Sequence, residues 1–162
     1  MIEDLDDGVW DKTLAINLTA HQRLLKFTIP YLKKGIDPSV IFIGSRNVNA
    51  PGAGASAYSV SKAAITQLTR VAALEVAKFG VRVNVIHPDA VFDTELWTEA
   101  LLQRSAERYG MTVQEYKTKN LLKTEIKSID VASMVSAVAT DSIFGKTTGA
   151  EIPVDGGNDR VI

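Results

Sequence analysis

Tyr58 and Lys62 stand four apart in the run Ala57-Tyr58-Ser59-Val60-Ser61-Lys62, and Ser45 precedes the tyrosine by thirteen positions. Residues four apart on a helix share one face, a turn from each other. An ammonium beside a phenol favours the phenolate, and so makes a tyrosine a usable proton carrier. A serine hydroxyl at the end of a neighbouring strand can hold a carbonyl oxygen at the same point. The three residue types together can move the proton that accompanies hydride transfer at a carbonyl carbon. A tyrosine and a lysine one helical turn apart also occur by chance, so the surrounding elements must support the reading.

Hydride chemistry needs a carrier. The glycine loop that cradles a dinucleotide follows a first strand and opens a helix. Residues 1–44 hold no such loop: Gly8 is isolated, Gly35 precedes Ile36-Asp37-Pro38, and Gly44 adjoins Ser45. Gly52 and Gly54 make a small, mobile stretch and no phosphate loop. The expectation is the catalytic half of an oxidoreductase without its nucleotide-binding half.

Bulk properties set the class. The length of 162 residues fits one domain, and 46% apolar with 23% charged residues is ordinary for a globular chain. A net charge of −1 gives no electrostatic reason to expect nucleic acid or an anionic membrane as a partner. The absence of cysteine removes disulfides, thiolate nucleophiles and thiolate metal sites. His21 and His87 lack a metal-ligand spacing, so no metal is expected. No apolar run reaches the length of a membrane span, and the start Met1-Ile2-Glu3-Asp4 is the opposite of a secretory signal. A cytoplasmic location is the default expectation.

The elements that must position the trio follow from periodicity. A helix is predicted from about Val9 to Leu32, capped from Asp6, Asp7 or Gly8, with apolar contacts from Trp10, Leu14, Leu18, Leu25 and Phe27. Asn17 lies within it. Val40-Ile41-Phe42-Ile43 reads as a strand buried on both faces. Ser56 is the expected cap of a second helix reaching Phe79, with Ile65, Leu68, Ala72, Val76 and Phe79 on its apolar face and Gly80 ending it. Val81 to Ile86 is a strand with Arg82 and Asn84 as its polar members, and Pro88 begins an irregular stretch. Residues 94–127 form a polar, helix-prone insertion carrying Trp97, Tyr109 and Tyr116, which line a substrate pocket or pack as ordinary core. A helix begins at Ser128 and ends near Thr140. Gly149 to Val154 is a last strand, closed by a structural turn at Asp155-Gly156-Gly157. Alternating helices and strands imply a parallel sheet, with ligands beyond the carboxyl ends of the strands. Ser45 and His87-Pro88 fall just past two such ends. His87 itself reads as a packed, hydrogen-bonded residue.

At these residues the chain resembles the short-chain dehydrogenase/reductase family. Tyr58-x-x-x-Lys62 matches its signature, Ser45 stands at its serine spacing, and Asn17 matches the asparagine of its catalytic tetrad. Val81-Arg82-Val83-Asn84 resembles the strand after the catalytic helix, and Thr148-Gly149-x-x-Ile152-x-Val154-Asp155-Gly156-Gly157 resembles the closing strand and turn. The likeness covers the carboxyl-terminal part of a family member. The first four strands, the cofactor loop and the Asn-Asn-Ala-Gly motif have no counterpart. The fold it implies is the carboxyl-terminal part of a Rossmann-type doubly wound parallel sheet, as one partial domain over residues 1–162.

The resemblance implies roles. Ser45 binds the substrate oxygen, Tyr58 transfers the proton, and Lys62 lowers the phenol pKa and binds the nicotinamide ribose. The Asn17 carbonyl holds a water that joins the lysine to a proton relay. The cofactor is NAD or NADP, contacted by Tyr58, Lys62, Pro88, Val91 and Thr94, and bound weakly or not at all without the upstream half. The partners implied are a small carbonyl or alcohol substrate and further copies of the chain, as a homo-oligomer. A narrower likeness lies in His87-Pro88-Asp89-Ala90-Val91-Phe92-Asp93-Thr94, in Arg108-Tyr109-Gly110-Met111-Thr112-Val113 and in the ending Gly157-Asn158-Asp159-Arg160-Val161-Ile162. These resemble the dehydrogenase domain of bacterial bifunctional rhamnulose-1-phosphate aldolase/alcohol dehydrogenases, which implies a lactaldehyde-like substrate. The chain departs from the broader family at Pro88-Asp89, where Pro-Gly is usual, and at Thr94, one residue later than the usual threonine. The rival reading is a noncatalytic fragment that associates through its helix faces. The epimerase and dehydratase branch shares Tyr-x-x-x-Lys, but its longer carboxyl-terminal domain has no counterpart before Ile162.

Overall fold

Asp6 ends the amino-terminal turn in extended conformation and its carboxylate accepts the Val9 N–H, which starts α1 (Asp7–Leu14). The computed structural model describes residues 1–158, so the part of the narrower likeness at Asp159 to Ile162 lies outside the described residues. The predicted first helix is interrupted. A π-helical segment, Ala15–Thr19, separates α1 from α2 (Ala20–Leu32), and its wide turn closes with the Ala20 N–H on the Ala15 carbonyl. Such turns carry one extra residue within a helix and cluster at functional positions. Asn17 sits at its centre. Leu25 of α2 is buried, whereas Phe27 is 67% exposed and contributes no core contact.

β1 (Ser39–Ile43) and β2 (Arg82–Pro88) pair in parallel, Ser39 against Arg82 through Ile43 against Ile86. β3 (Glu151–Val154) pairs in parallel on the other side of β2, from Val85 with Glu151 to Pro88 with Val154. The order β1-β2-β3 puts β2 at the centre. Two expectations change here. β1 is an edge strand on which Phe42 alone is buried, because a strand gains two covered faces only when neighbours extend the layers beside it. β2 runs on through His87 and Pro88, so both belong to the strand and the irregular stretch begins after them. Pro88 is tolerated there because it terminates the strand.

Between β1 and β2 lies α3 (Ser56–Val76), continued by a 3-10 turn at Ala77–Phe79 and closed by Gly80 at φ 73°. Ala55, and not Ser56, occupies the cap, with no side-chain bond; Ser56 is the first helical residue. Ile65, Ala72, Ala73 and Val76 of α3 pack with Val83 and Val85 of β2 and with Leu25 and Phe42. Phe79 leaves that stripe and is 42% exposed. The opposite face of β2 meets α6 (Ser128–Ala139). Arg82 donates to the carbonyls of Val138 at 2.8 Å and Ala139 at 2.9 Å. These are carbonyls at the end of a helix, where a cation is favoured. Asn84, fully buried, donates to the Thr147 carbonyl at 3.0 Å and accepts the Ala150 N–H at 3.0 Å. Arg82 and Asn84 therefore lie on a buried face of β2 and are satisfied there.

Residues 94–127 hold α4 (Glu99–Arg108) and α5 (Val113–Lys117), the latter begun by a Thr112/Glu115 capping box. A four-residue helix, α7 (Asp141–Phe144), follows α6. The closing turn takes the glycines that it needs: Gly156 and Gly157 have φ of 62° and 82°, and Asp155 accepts the Gly157 N–H at 2.9 Å. Among the described residues no helix is long and apolar enough to cross a membrane.

Candidate active site

β1 and β2 end side by side, and a cleft of about 440 Å³ opens beyond their carboxyl ends. Ser45 stands two residues past β1, in extended conformation, with its hydroxyl accepting the Asn47 N–H at 3.2 Å. Tyr58 and Lys62 reach the cleft from the first two turns of α3. The helical register works as expected: Lys62 Nζ lies 5.7 Å from the centre of the Tyr58 ring. Lys62 also donates to the Ile43 carbonyl at 2.9 Å, which ties α3 to the end of β1. Burial lowers the Lys62 pKa from its ordinary value of 10.5, since desolvation disfavours the ammonium.

Asn17 is brought to α3 by the π-helical segment. Its side-chain amide donates at 3.2 Å to Ser61, whose hydroxyl donates at 2.7 Å to the Tyr58 carbonyl. Asn17 and Tyr58 share a second, smaller concavity with Val9, Thr13 and Ile16. The Asn17 amide is thus committed to the helix that carries the tyrosine and lysine.

Pro88, Val91 and Thr94 also line the cleft. The Thr94 hydroxyl donates to the Val91 carbonyl at 2.8 Å, so it is engaged within its own loop. Asp93 occupies the place one residue before it and turns away: its carboxylate accepts the Ser128 N–H at 2.8 Å and the Ser128 hydroxyl at 2.7 Å. Those bonds hold the Asp93 carboxyl below the usual range. The loop after β2 is consequently pinned to the start of α6.

Trp97 and Tyr116 line the cleft and also pack on Phe92, at ring-centre distances of 5.0 and 5.8 Å. Trp97 and Tyr116 thus belong both to a small aromatic core and to the wall of the cleft. Tyr109 stacks on Tyr116 at 5.9 Å but borders a neighbouring concavity. Burial, with Tyr109 beside it, pushes the Tyr116 phenol up.

Sequence reasoning missed Arg46. Its Nε donates to Asp89 at 2.8 Å, and the other Asp89 oxygen accepts from Asn158. Asp89, the departure from Pro-Gly, therefore clamps the residue after Ser45. No local signal marks a pair forty-three positions apart, although an acid in a usual glycine place invites a search for a base. His87 is buried and hydrogen-bonded, as read from the sequence.

A parallel sheet covered by helices on both faces, with a cleft at its carboxyl edge, defines the doubly wound α/β class. A family model described as Enoyl-(Acyl carrier protein) reductase matches residues 1–159, and the chain belongs to the short-chain dehydrogenase/reductase family of NAD(P)-dependent oxidoreductases. It is 38% identical over 124 residues to the uncharacterized oxidoreductase YuxG of Bacillus subtilis, a match that covers 74% of this chain and 18% of that protein. It is 31% identical to human dehydrogenase/reductase SDR family member 4 over 159 residues, 96% of this chain and 53% of that one. The ligand-free aldohexose dehydrogenase of Thermoplasma acidophilum superposes with a TM-score of 0.84 at 29% identity, over 100% of this chain and 64% of its own. The chain spans about half the length of the human relative and less than a fifth of the Bacillus one.

Proposed function

We propose that the chain carries the catalytic portion of an oxidoreductase that interconverts a small alcohol and its carbonyl, with a lactaldehyde-like hydroxy-carbonyl as the substrate class. The observation that carries this is the convergence of Ser45, Tyr58 and Lys62 on one cleft, with Lys62 5.7 Å from the tyrosine ring centre. Ser45 donates a hydrogen bond to the substrate oxygen. Tyr58 passes the proton to or from that oxygen, as general acid or base. Lys62 stands one helical turn from Tyr58, with its ammonium beside the tyrosine ring. Asn17 holds the π-helical segment against Ser61, so that this wide turn faces the lysine helix.

The donor set fits a nicotinamide cofactor. Tyr58 and Lys62 would hold the ribose, and Pro88, Val91 and Thr94 would border the ring. NAD or NADP, when bound, supplies or accepts the hydride. Residues 1–38 build helices and a turn and offer no glycine loop for a pyrophosphate, so the 162-residue chain is expected to bind either cofactor weakly. The aromatic wall of Phe92, Trp97 and Tyr116 limits the remaining space and supports a small substrate. In the Bacillus relative the shared segment is a minor part of a much longer chain, which agrees with a dehydrogenase domain joined to a further domain. Residues 94–127 act as the substrate-side insertion of a single catalytic unit.

Hydride transfer by a protein carrying both halves of the fold tests the reading. Tyr58→Phe should lower turnover about 10²- to 10⁴-fold, the usual weight of a general acid or base, while cofactor affinity stays near wild type. Lys62→Ala should damage both. Full activity of Tyr58→Phe on every accepted substrate would overturn the proposal and leave the helix faces as the better explanation of the chain. Calorimetric titration of the 162-residue chain tests the cofactor statement, and micromolar affinity at one site per chain would refute it.

A further inference from the structure

Ser45 and Tyr58 reach the cleft from different elements, so something must fix the serine relative to α3. Ser45 is followed by a glycine-rich loop and preceded by Gly44, and its own hydroxyl bonds only two residues onward. Lys62 holds the Ile43 carbonyl and the Gly44 N–H bonds the Ile86 carbonyl, but the contact on Ser45 itself comes from β2. The Ser45 N–H donates to His87 Nδ1 at 3.1 Å in a buried bond. An Nδ1 that accepts has its lone pair free, so the proton of the neutral ring sits on Nε2. His87 Nε2 lies 3.2 Å from Glu151 Oε2, the partner that this tautomer requires. The other Glu151 oxygen is bound by Arg70 Nη2. Arg70 lies on α3, two turns beyond Lys62.

The chain of contacts thus runs from the loop after β1 through β2 and β3 to the helix bearing the tyrosine and lysine. Gly44 makes it sterically feasible. A Cβ at Gly44 would lie 2.3 Å from His87 Nδ1 and 2.6 Å from Cε1, so only glycine lets the imidazole edge slide under the backbone. His87 is 2% exposed and does not line the cleft.

We propose that His87, oriented by Glu151 and Arg70, is a positioning residue for Ser45. It fixes the serine backbone through the N–H and ties its register to α3, so that Ser45 and Tyr58 can address one substrate oxygen. The catalytic significance rests on the oxidoreductase reading above; the positioning itself is a property of the folded chain and is measured without turnover. Small displacements matter in such sites, where a misplacement of about 1 Å can cost about 10²-fold in rate.

The test is amide exchange and through-hydrogen-bond coupling in the ¹⁵N-labelled 162-residue chain. Wild type should show a scalar coupling between the Ser45 amide nitrogen and His87 Nδ1, with the ring proton on Nε2. Glu151→Leu should lower Ser45 amide protection roughly three- to tenfold, the weight of one hydrogen bond, while Glu151→Gln, which keeps an acceptor for Nε2–H, should restore it. Gly44→Ala should cause the same loss with every polar residue still in place. The Val85 amide, which bonds the Ala150 carbonyl in the sheet, is the internal reference and should not move. No coupling in wild type, or Ser45 and Val85 protection falling together in the variants, would overturn the proposal. If Ser45 behaves as expected while Tyr58→Phe keeps full activity in the two-half protein, the oxidoreductase reading fails and the positioning contact stands.

Discussion

β1 and β2 lie side by side in register, and β1 is the more apolar in sequence, yet β2 is the more buried. All seven residues of β2 are buried, including Arg82, Asn84 and His87. On β1, Phe42 is buried, while Ile43 is 41% exposed. The cause lies beyond either strand. β2 has a strand on each side, α3 above and α6 below, whereas β1 has one described strand neighbour. Burial of a strand is thus a property of its neighbours, and the polar residues of β2 are affordable only because each finds a partner there. An edge with open backbone groups is a template for another strand.

Asn84 and Ile41 face each other across the β1–β2 ladder, so they give the sharpest measure of the difference. Asn84→Ala removes both partners of Thr147 and Ala150 in the dry interior. It should destabilise the fold by about 2–6 kcal/mol, from two stranded groups costing about 1–3 kcal/mol each. Ile41→Ala, on the half-exposed strand, should cost about 1 kcal/mol, well below the 2–5 kcal/mol of a fully buried isoleucine. Urea unfolding of both variants decides the matter. Equal losses would mean that β1 is as covered as β2.

The chain should form oligomers, since among the described residues β1 has an open side and Leu24, Phe27 and Tyr31 expose apolar surface on α2 at 63%, 67% and 78%. Ile43→Lys places a charge on the edge and should shift the population toward the 17.6 kDa chain. Light scattering coupled to size-exclusion chromatography over a dilution series reads this directly. Double substitution of Leu24 and Phe27 by Glu separates a helix-face contact from edge pairing. A monomeric wild type at high concentration would refute both.

The contrast also explains what the sequence could tell. α3, β2, the closing turn and the approach of Tyr58 and Lys62 depend on local periodicity and helical spacing, which a sequence displays. The interruption at Asn17 does not: one extra residue in a turn leaves the apolar pattern of residues 9–32 almost unchanged. The exposure of β1 was invisible because Val-Ile-Phe-Ile reads the same whether or not a fourth strand lies beside it. The contacts of Asp89 with Arg46, Asp93 with Ser128 and His87 with Glu151 join residues 35 to 64 apart, where no periodicity operates. Asp89 and Asp93 occupy the two places where the chain departs from its family pattern, so departures pointed to them without revealing their partners.

The smallest expected effect concerns the end of β1, where Lys62 donates to the Ile43 carbonyl. Burial lowers the Lys62 pKa below 10.5, and the unfolded chain, with its lysine in water, keeps the ordinary value. Between the folded and unfolded pKa values the unfolded state binds more protons, so this lysine makes stability rise with pH across that window. Below the window the ammonium pays its full desolvation cost, and above 10.5 the cost is gone. Lys62→Met keeps the length and the apolar stem without the charge. Its stability relative to wild type should therefore be most favourable near neutral pH and should decline as pH climbs toward 10.5. Denaturant unfolding of the two proteins at a series of alkaline pH values gives the difference, in which titrations common to both cancel. A difference that stays flat, or grows in favour of methionine as pH rises, would show that the ammonium is well solvated at the open end of β1, and that the contrast with the dry centre of β2 begins at the cleft itself.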